Sequence, residues 1–401
     1  MAGAGGVRPP GEGFVIGLRK PEYELPSRSQ RVALFSPEDP LILSSGERLE
    51  KVEVAYQTYG RLNERGDNAI LICHALTGSA HVSDCGFPEP SPLGEGWWNQ
   101  LVDEGRPVDP RHDFVICSNF LGSCYGTTGP VSVNPRSGTN YGPDFPEIDV
   151  RDMVRVQRRL LEHLGVARIR CALGGSLGGM QVLEWCAMYP EMVRSAVVIA
   201  TSAAHSAWAI GFNESARQAI LGDPAWQGGR YREQPAQGLA LARTIAMISY
   251  RSQVSYQERF GRGEMASGDP RQVPDPAGAP SAWQIENYLR YQGQKLVKRF
   301  DANTYLTITR AMDRHDLGRD RGGVEAALAA FPMPVLCVGI SSDVLYPPHE
   351  QRQIARHIPH AQYAEIQSEH GHDAFLIEFE QLNELVEAFL AGPDRDLPRP
   401  K

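Results

Sequence analysis

Short apolar runs rich in β-branched residues alternate along most of the chain with longer stretches whose apolar positions recur every three or four residues. The runs VEVAYQTYG (52–60), AILICHA (69–75), FVICSN (114–119), RIRCALG (168–174) and SAVVIA (195–200) predict strands. Between them, VRDMVRVQRRLLEHLG (150–165) has helical spacing and stops on a glycine, and a second helix is predicted over 177–189, ended by Pro190. Strand–helix–strand alternation predicts a mostly parallel, doubly wound α/β sheet with helices on both faces.

The rhythm breaks over 206–321. Helical patterns such as ALARTIAMISY (240–250) and WQIENYLRYQGQKLVKRF (283–300) occur there with a Pro/Gly-rich loop (267–280) and no convincing strand. It resumes with MPVLCVGI (333–340), a helix near 349–358, AQYAEI (361–366) and a final helix over 375–390. The expected organisation is a core in two parts, 1–205 and 322–401, with a helical lid insertion over 206–321 capping the strand ends. Residues 1–20 and 392–401 read as a flexible leader and tail.

Composition narrows the function. A net charge of −8 over 401 residues disfavours a nucleic-acid partner, which needs a basic face. No apolar run reaches the ~20 residues of a membrane helix, and the N-terminus lacks a signal peptide's apolar core. The seven cysteines, an odd number, sit mostly in apolar runs without CxxC pairs or Cys/His clusters. This predicts a cytoplasmic, reduced protein without a metal.

Candidate chemistry centres on CALGGSLGGMQVLEW (171–185). Gly174, Ser176 and Gly178 match G-x-S-x-G between a predicted strand and helix, the context of a nucleophile elbow. The bland reading is a tight turn with a solvated serine. A serine nucleophile needs a base, and a carboxylate and histidine should follow in the order Ser, Asp, His. Asp343 follows a strand and His372 lies between the last strand and the last helix, both at strand ends where α/β sheets build sites. His370 is a rival base that spacing does not exclude. Oxyanion N–H groups are expected from Leu177 and from the CHALTGSAH loop (73–81), whose His74 and His81 read as loop hydrogen-bonders.

The segments CHALTGSAHV, GWWNQLV, FVICSNFLGSCYGTTGP, LGGSLGGMQVLEW, FNESARQAI and GHDAFL resemble, in order, the homoserine O-acyltransferases of the α/β-hydrolase superfamily, the branch that acetylates homoserine for methionine synthesis. The resemblance covers about 52–390. It implies an α/β-hydrolase fold with Ser176 as nucleophile, Asp343 as acid and His372 as base, since the family's histidine directly precedes an aspartate. It further implies that Arg217 holds the amino-acid carboxylate, that Asp373 contacts substrate, and that Leu76 supplies the second oxyanion N–H. Leu177 replaces a methionine common in relatives, a swap of little weight where a backbone N–H acts. Leu345 stands where succinyl-using relatives carry arginine, which favours an acetyl donor. The implied reaction is ping-pong transfer from acetyl-CoA, a cosubstrate, to L-homoserine by a homodimer with no tightly bound cofactor. O-succinyl transfer to homoserine or serine, esterase activity and a non-catalytic scaffold are the alternatives.

Overall fold

The computed structural model describes residues 29–86, 91 and 94–392. The expected leader and all but the first residue of the expected tail lie outside the described residues. Eight strands form one sheet: β1 (Gln30–Phe35), β2 (Val52–Tyr59), β3 (Ala69–Cys73), β4 (Phe114–Ser118), β5 (Ile169–Gly175), β6 (Ala196–Ile199), β7 (Val335–Ile340) and β8 (Ala361–Ile366). Their spatial order is β1-β2-β4-β3-β5-β6-β7-β8. Strand β2 pairs antiparallel with both β1 and β4, and the pairings from β4 through β8 are parallel. β3, β4, β6 and β7 are buried along their whole length, as unbroken apolar runs require when helices cover both faces.

Helices α1 (Val150–His163) and α2 (Leu177–Met188) follow the predicted spans to within two residues. α1 starts at a capping box in which the Asp149 carboxylate accepts from Asp152 N–H while the Asp152 carboxylate accepts from Asp149 N–H. Between β6 and β7 lie α3 (Ala207–Leu221), α4 (Ala236–Tyr250), α5 (Gln253–Phe260), α6 (Gln284–Val297), α7 (Ala302–Asp313) and the short α8 (Val324–Ala329). The chain enters and leaves this insertion at one place: His205 N–H donates to His315 O (2.9 Å) and Leu317 N–H to Ala203 O (2.8 Å) around an antiparallel bridge between Ala204 and Asp316. Helices α9 (Pro348–His357) and α10 (Phe379–Leu390) complete the core.

One strand goes unpredicted and one expectation needs correction. The edge strand β1 has only the short apolar run Val32–Phe35; it pairs on one side only, and most of its residues stay partly exposed. The final helix does not begin at 375. Residues Gly371–Leu376 form a separate 3₁₀ turn, cut off from the helix by non-helical backbone at Ile377 (φ −134°) and Glu378 (ψ 57°).

Register gathers the site. Cys73 pairs with Gly174, Gly175 with Ile199, and Ile199 with Val338. The carboxyl ends of β3, β5, β6 and β7 therefore lie side by side, and the loops after them meet above one edge of the sheet.

Candidate active site

The glycines around Ser176 are steric requirements. Ser176 itself adopts φ 58°, ψ −127°, a left-handed conformation that strains any residue with a Cβ. A Cβ on Gly174 would lie 2.4 Å from the Gly178 backbone, one on Gly175 2.8 Å from the Phe375 ring, and one on Gly178 2.0 Å from Cys73 O. The strand-to-helix turn can close this tightly only with hydrogen at these positions. Its backbone is anchored on both sides: Ser176 N–H donates to Ile199 O (2.9 Å) and Ser176 O accepts from Thr201 Oγ1 (2.8 Å). Leu177 opens α2, where the first N–H groups of a helix have no partner in the helix and favour an incoming negative charge. The loop after β3 is tied to the same turn by Gln181 Nε2, which donates to His74 O (3.2 Å) and Leu177 O (3.3 Å). This loop carries Leu76, a buried residue.

Asp343 and His372 meet from different strand ends. His372 Nδ1 lies 2.7 Å from Asp343 Oδ2, and both side chains are buried. The other oxygen, Oδ1, accepts from Leu345 N–H (2.8 Å) and Tyr346 N–H (2.9 Å), so the carboxylate has one orientation. Burial works against charging the His372 ring, but the Asp343 charge and hydrogen bond, with Asp373 adding, raise its pKa above the usual histidine value. The ring packs against Tyr346 (5.2 Å), Phe375 (5.6 Å) and Tyr250 (5.7 Å). Phe375 thus touches both the elbow at Gly175 and the His372 ring. His370, the rival base, donates its N–H to Ser368 Oγ and places Nδ1 3.5 Å from Ser255 Oγ. Its ring has no bond to Asp343.

The remaining predicted residues divide. Asp373 pairs with Arg251 Nε at 3.1 Å. Burial raises the Asp373 pKa, opposed by Arg251, Arg243 and His372. Leu345 is buried in the core, and its N–H helps aim Asp343. Arg217 is occupied: Nε and Nη2 bond Glu214 Oε2 (3.0 and 2.9 Å), and Nη1 lies 2.6 Å from Asp313 Oδ2. Each nitrogen of this guanidinium thus faces a carboxylate of the protein itself. Arg243 on α4 stands otherwise: it lies over the Tyr250 ring (5.3 Å), and its charge bears on Asp373. His74 is stacked on Phe120 (4.3 Å) and held neutral by burial, with a pKa lowered to about 4. His81 bonds Asp84 and Gln57. Both are loop hydrogen-bonders, as the sequence suggests.

A protein-family model described as alpha/beta hydrolase fold matches residues 68–379. The homoserine O-acetyltransferase of Chloroherpeton thalassium is 49% identical over 363 residues, covering 90% of this chain and 89% of that protein. That of Carboxydothermus hydrogenoformans is 51% identical, covering 87% and 92%. The chain belongs to the homoserine O-acetyltransferases. A solved homoserine O-acetyltransferase from Bacillus anthracis superimposes with a TM-score of 0.81 at 28% identity, covering 90% of this chain and 97% of that one. Esterase E22 does so almost as closely, with a TM-score of 0.79 at 26% identity over 90% and 99%. As a member of this family of acyltransferases the protein is an enzyme, and its fold is shared with hydrolases.

Several residues of the site escape sequence reasoning. Thr201 is a lone polar residue after a strand. Tyr250 ends a helix as an ordinary aromatic. Arg243 on α4 and Arg251 just beyond it read as surface charges until their charges are seen to bear on Asp373. Only contact across the chain reveals them.

Proposed function

We propose that the enzyme transfers the acetyl group of acetyl-CoA to the side-chain hydroxyl of L-homoserine by a ping-pong route. The observation that carries the reading is the Asp343–His372 pair at 2.7 Å meeting a strained serine elbow on one sheet edge. His372 Nε2 takes the Ser176 hydroxyl proton as Oγ bonds the thioester carbon, and the carbonyl electrons move onto oxygen. The N–H groups of Leu177 and Leu76 receive that oxyanion, an interaction worth about 3 kcal/mol per donor. The C–S bond then breaks, and the departing thiolate of CoA takes the proton from His372. Homoserine repeats the sequence in reverse: its hydroxyl gives a proton to His372 and attacks the acetyl-serine carbon, and Ser176 leaves with that proton restored.

Asp373 suits the ammonium group of the amino acid, whose positive charge offsets the cost of ionising a buried carboxyl. Its carboxylate is better served by Arg243 than by Arg217, because Arg217 is already matched by Glu214 and Asp313. An apolar Leu345 gives a succinyl carboxylate no partner. Helices α3–α7 serve as a lid that limits water, which competes with homoserine for the acyl-enzyme. The reading includes a cytoplasmic homodimer with no bound metal or cofactor. Among the described residues all seven cysteines are free thiols, and no helix is long and apolar enough to cross a membrane.

The test is mass spectrometry of products from equal acetyl-CoA and succinyl-CoA, offered with both homoserine and serine. O-acetylhomoserine is the expected main product. Succinylated product removes the donor role of Leu345, and preferred O-acetylserine removes the acceptor. The kinship with esterase E22 favours one other reading, hydrolysis. It gains the field if p-nitrophenyl acetate turnover yields only acetate whether or not homoserine is present.

A further inference from the structure

The segment FNESARQAI on α3 has no task in acyl transfer once Arg217 is set aside, yet its polar side chains converge on one carboxylate. Asn213 Nδ2 donates to Asp313 Oδ1 (2.8 Å), and Arg217 Nη1 stands 2.6 Å from Asp313 Oδ2. Glu214 grips the rest of the Arg217 guanidinium and fixes its plane. Asp313, the last residue of α7, also faces His205 Nδ1 at 3.1 Å. His205 lies in the neck where the chain enters the insertion, and its Nε2 is 2.9 Å from the Tyr346 hydroxyl.

Tyr346 reaches the reacting groups twice. Its N–H donates to Asp343 Oδ1 (2.9 Å), and its ring packs on His372 at 5.2 Å. It is wholly buried, so its hydroxyl must find a partner inside the protein. Asp313 fixes how the His205 ring is turned: with Nδ1 facing the carboxylate, Nε2 faces the phenol oxygen of Tyr346. The chain of contacts Asp313–His205–Tyr346 thus runs from two inserted helices to the Asp343–His372 pair. A second tie runs nearby, since Gln351 Nε2 donates to Thr201 O (2.6 Å) while Thr201 holds Ser176.

We propose that Tyr346, held through His205 by Asp313, is a positioning residue for Asp343 and His372, and that Asn213 and Arg217 anchor this relay to the inserted helices. What is positioned rests on the acyl-transfer reading above; the relay itself does not. The reacting carboxylate is thereby aimed by a device whose far end lies outside the core. The groups facing His372 are Asp343 from the loop after β7, Asp373 beside it, Tyr250 from α4, and Tyr346, with Arg251 and Arg243 balancing Asp373. Of these, Asp343 is the one whose aim the relay controls.

The test uses Tyr346→Phe and Asp313→Asn in the full-length enzyme. Three quantities are read: the NMR titration of the His372 ring, the acyl-enzyme burst with p-nitrophenyl acetate against pH, and steady-state constants for homoserine. Loosening Asp343 weakens the interaction that raises the His372 pKa, so its titration and the acidic limb of the burst move to lower pH. The burst rate falls about tenfold or more, as misplacement of reacting groups does, while KM for homoserine stays within about twofold. Arg217→Gln follows the same pattern. If both variants keep the wild-type His372 titration and burst rate, whatever happens to Tm, the relay is only structural and the proposal fails. It also fails if Arg217→Gln raises the homoserine KM about tenfold with the burst unchanged, because Arg217 is then a substrate contact. A wild-type enzyme that forms no acetyl-serine sinks the acyl-transfer reading instead, and the His372 titration still decides the relay.

Discussion

At the scale of single residues, similar glycines differ because of what surrounds a missing Cβ. Gly178 sits where a methyl carbon would fall 2.0 Å from Cys73 O, a backbone atom that cannot step aside without moving β3. Gly211 lies within α3, and an added Cβ there meets nothing within 4 Å. Gly178→Ala is therefore expected to abolish acyl-enzyme formation and lower Tm. Gly211→Ala should raise stability by about 0.5–1 kcal/mol, the cost of glycine in a helix, at unchanged activity. Thermal melts paired with p-nitrophenyl acetate bursts check both. An active, stable Gly178→Ala enzyme would mean that the elbow is looser than its close packing indicates. The sequence motif marks these glycines as a set, but the distance to Cys73 belongs to another strand and is not written near them.

Among the elements, α9 is set against itself. An acid in the first turn of a helix normally gains from the helix dipole, yet Glu350 is half-buried there. One carboxyl oxygen lacks a hydrogen-bond partner among the described residues. Burial first, and then the nearby Asp343 charge, push its pKa up to about 7, with a Ser206 hydrogen bond opposing them. The sign follows from linkage: between the ordinary glutamate value and about 7 the unfolded chain has released a proton that the folded chain keeps. Stability therefore falls as pH rises through that window. Glu350→Gln removes the loss, so its Tm should exceed the wild type at pH 8 and approach it near pH 4.5. A Tm difference independent of pH would deny Glu350 this role.

Elements were also where the sequence spoke most clearly. The runs that become β3, β4, β6 and β7 are legible because strands buried on both faces leave no polar interruption. Helix α1 is legible from its spacing and terminal glycine. β1 is not, since an edge strand needs only one partner and tolerates exposed residues. The 3₁₀ turn at Gly371–Leu376 is hidden because the break at Ile377 and Glu378 falls on residues that carry no glycine or proline to mark it. The site follows the same division. Ser176 and Asp343 are readable because each follows a recognisable strand, whereas His372 is told from His370 only by the family resemblance. The occupation of Arg217 is not readable, because Asp313 lies on a different helix.

At the scale of the whole molecule, α4 turns Leu241 and Ile248 outward, each about half exposed at 51%. They lie seven residues apart and so share a helix face; Val254 on α5 and Tyr291 on α6 are exposed apolar neighbours in the insertion. If the protein forms the proposed homodimer through this surface, Leu241→Glu with Ile248→Glu should halve the mass seen by light scattering and leave circular dichroism unchanged. An unchanged dimer mass would move the interface elsewhere.

The narrow neck at Ala203–His205 and His315–Leu317 has a consequence for descent. The backbone of the insertion closes on itself through this short ladder, while its side chains grip the core at further points, Trp208 on Val344 O, Ser252 on Glu369 O and Arg299 on Thr77 O. The acetyltransferase and the esterase each superimpose over 90% of this chain, which takes in most of the inserted helices as well as the sheet. The inserted helices and their neck have therefore been kept together in descent, on both sides of the divide between acetyltransferase and esterase.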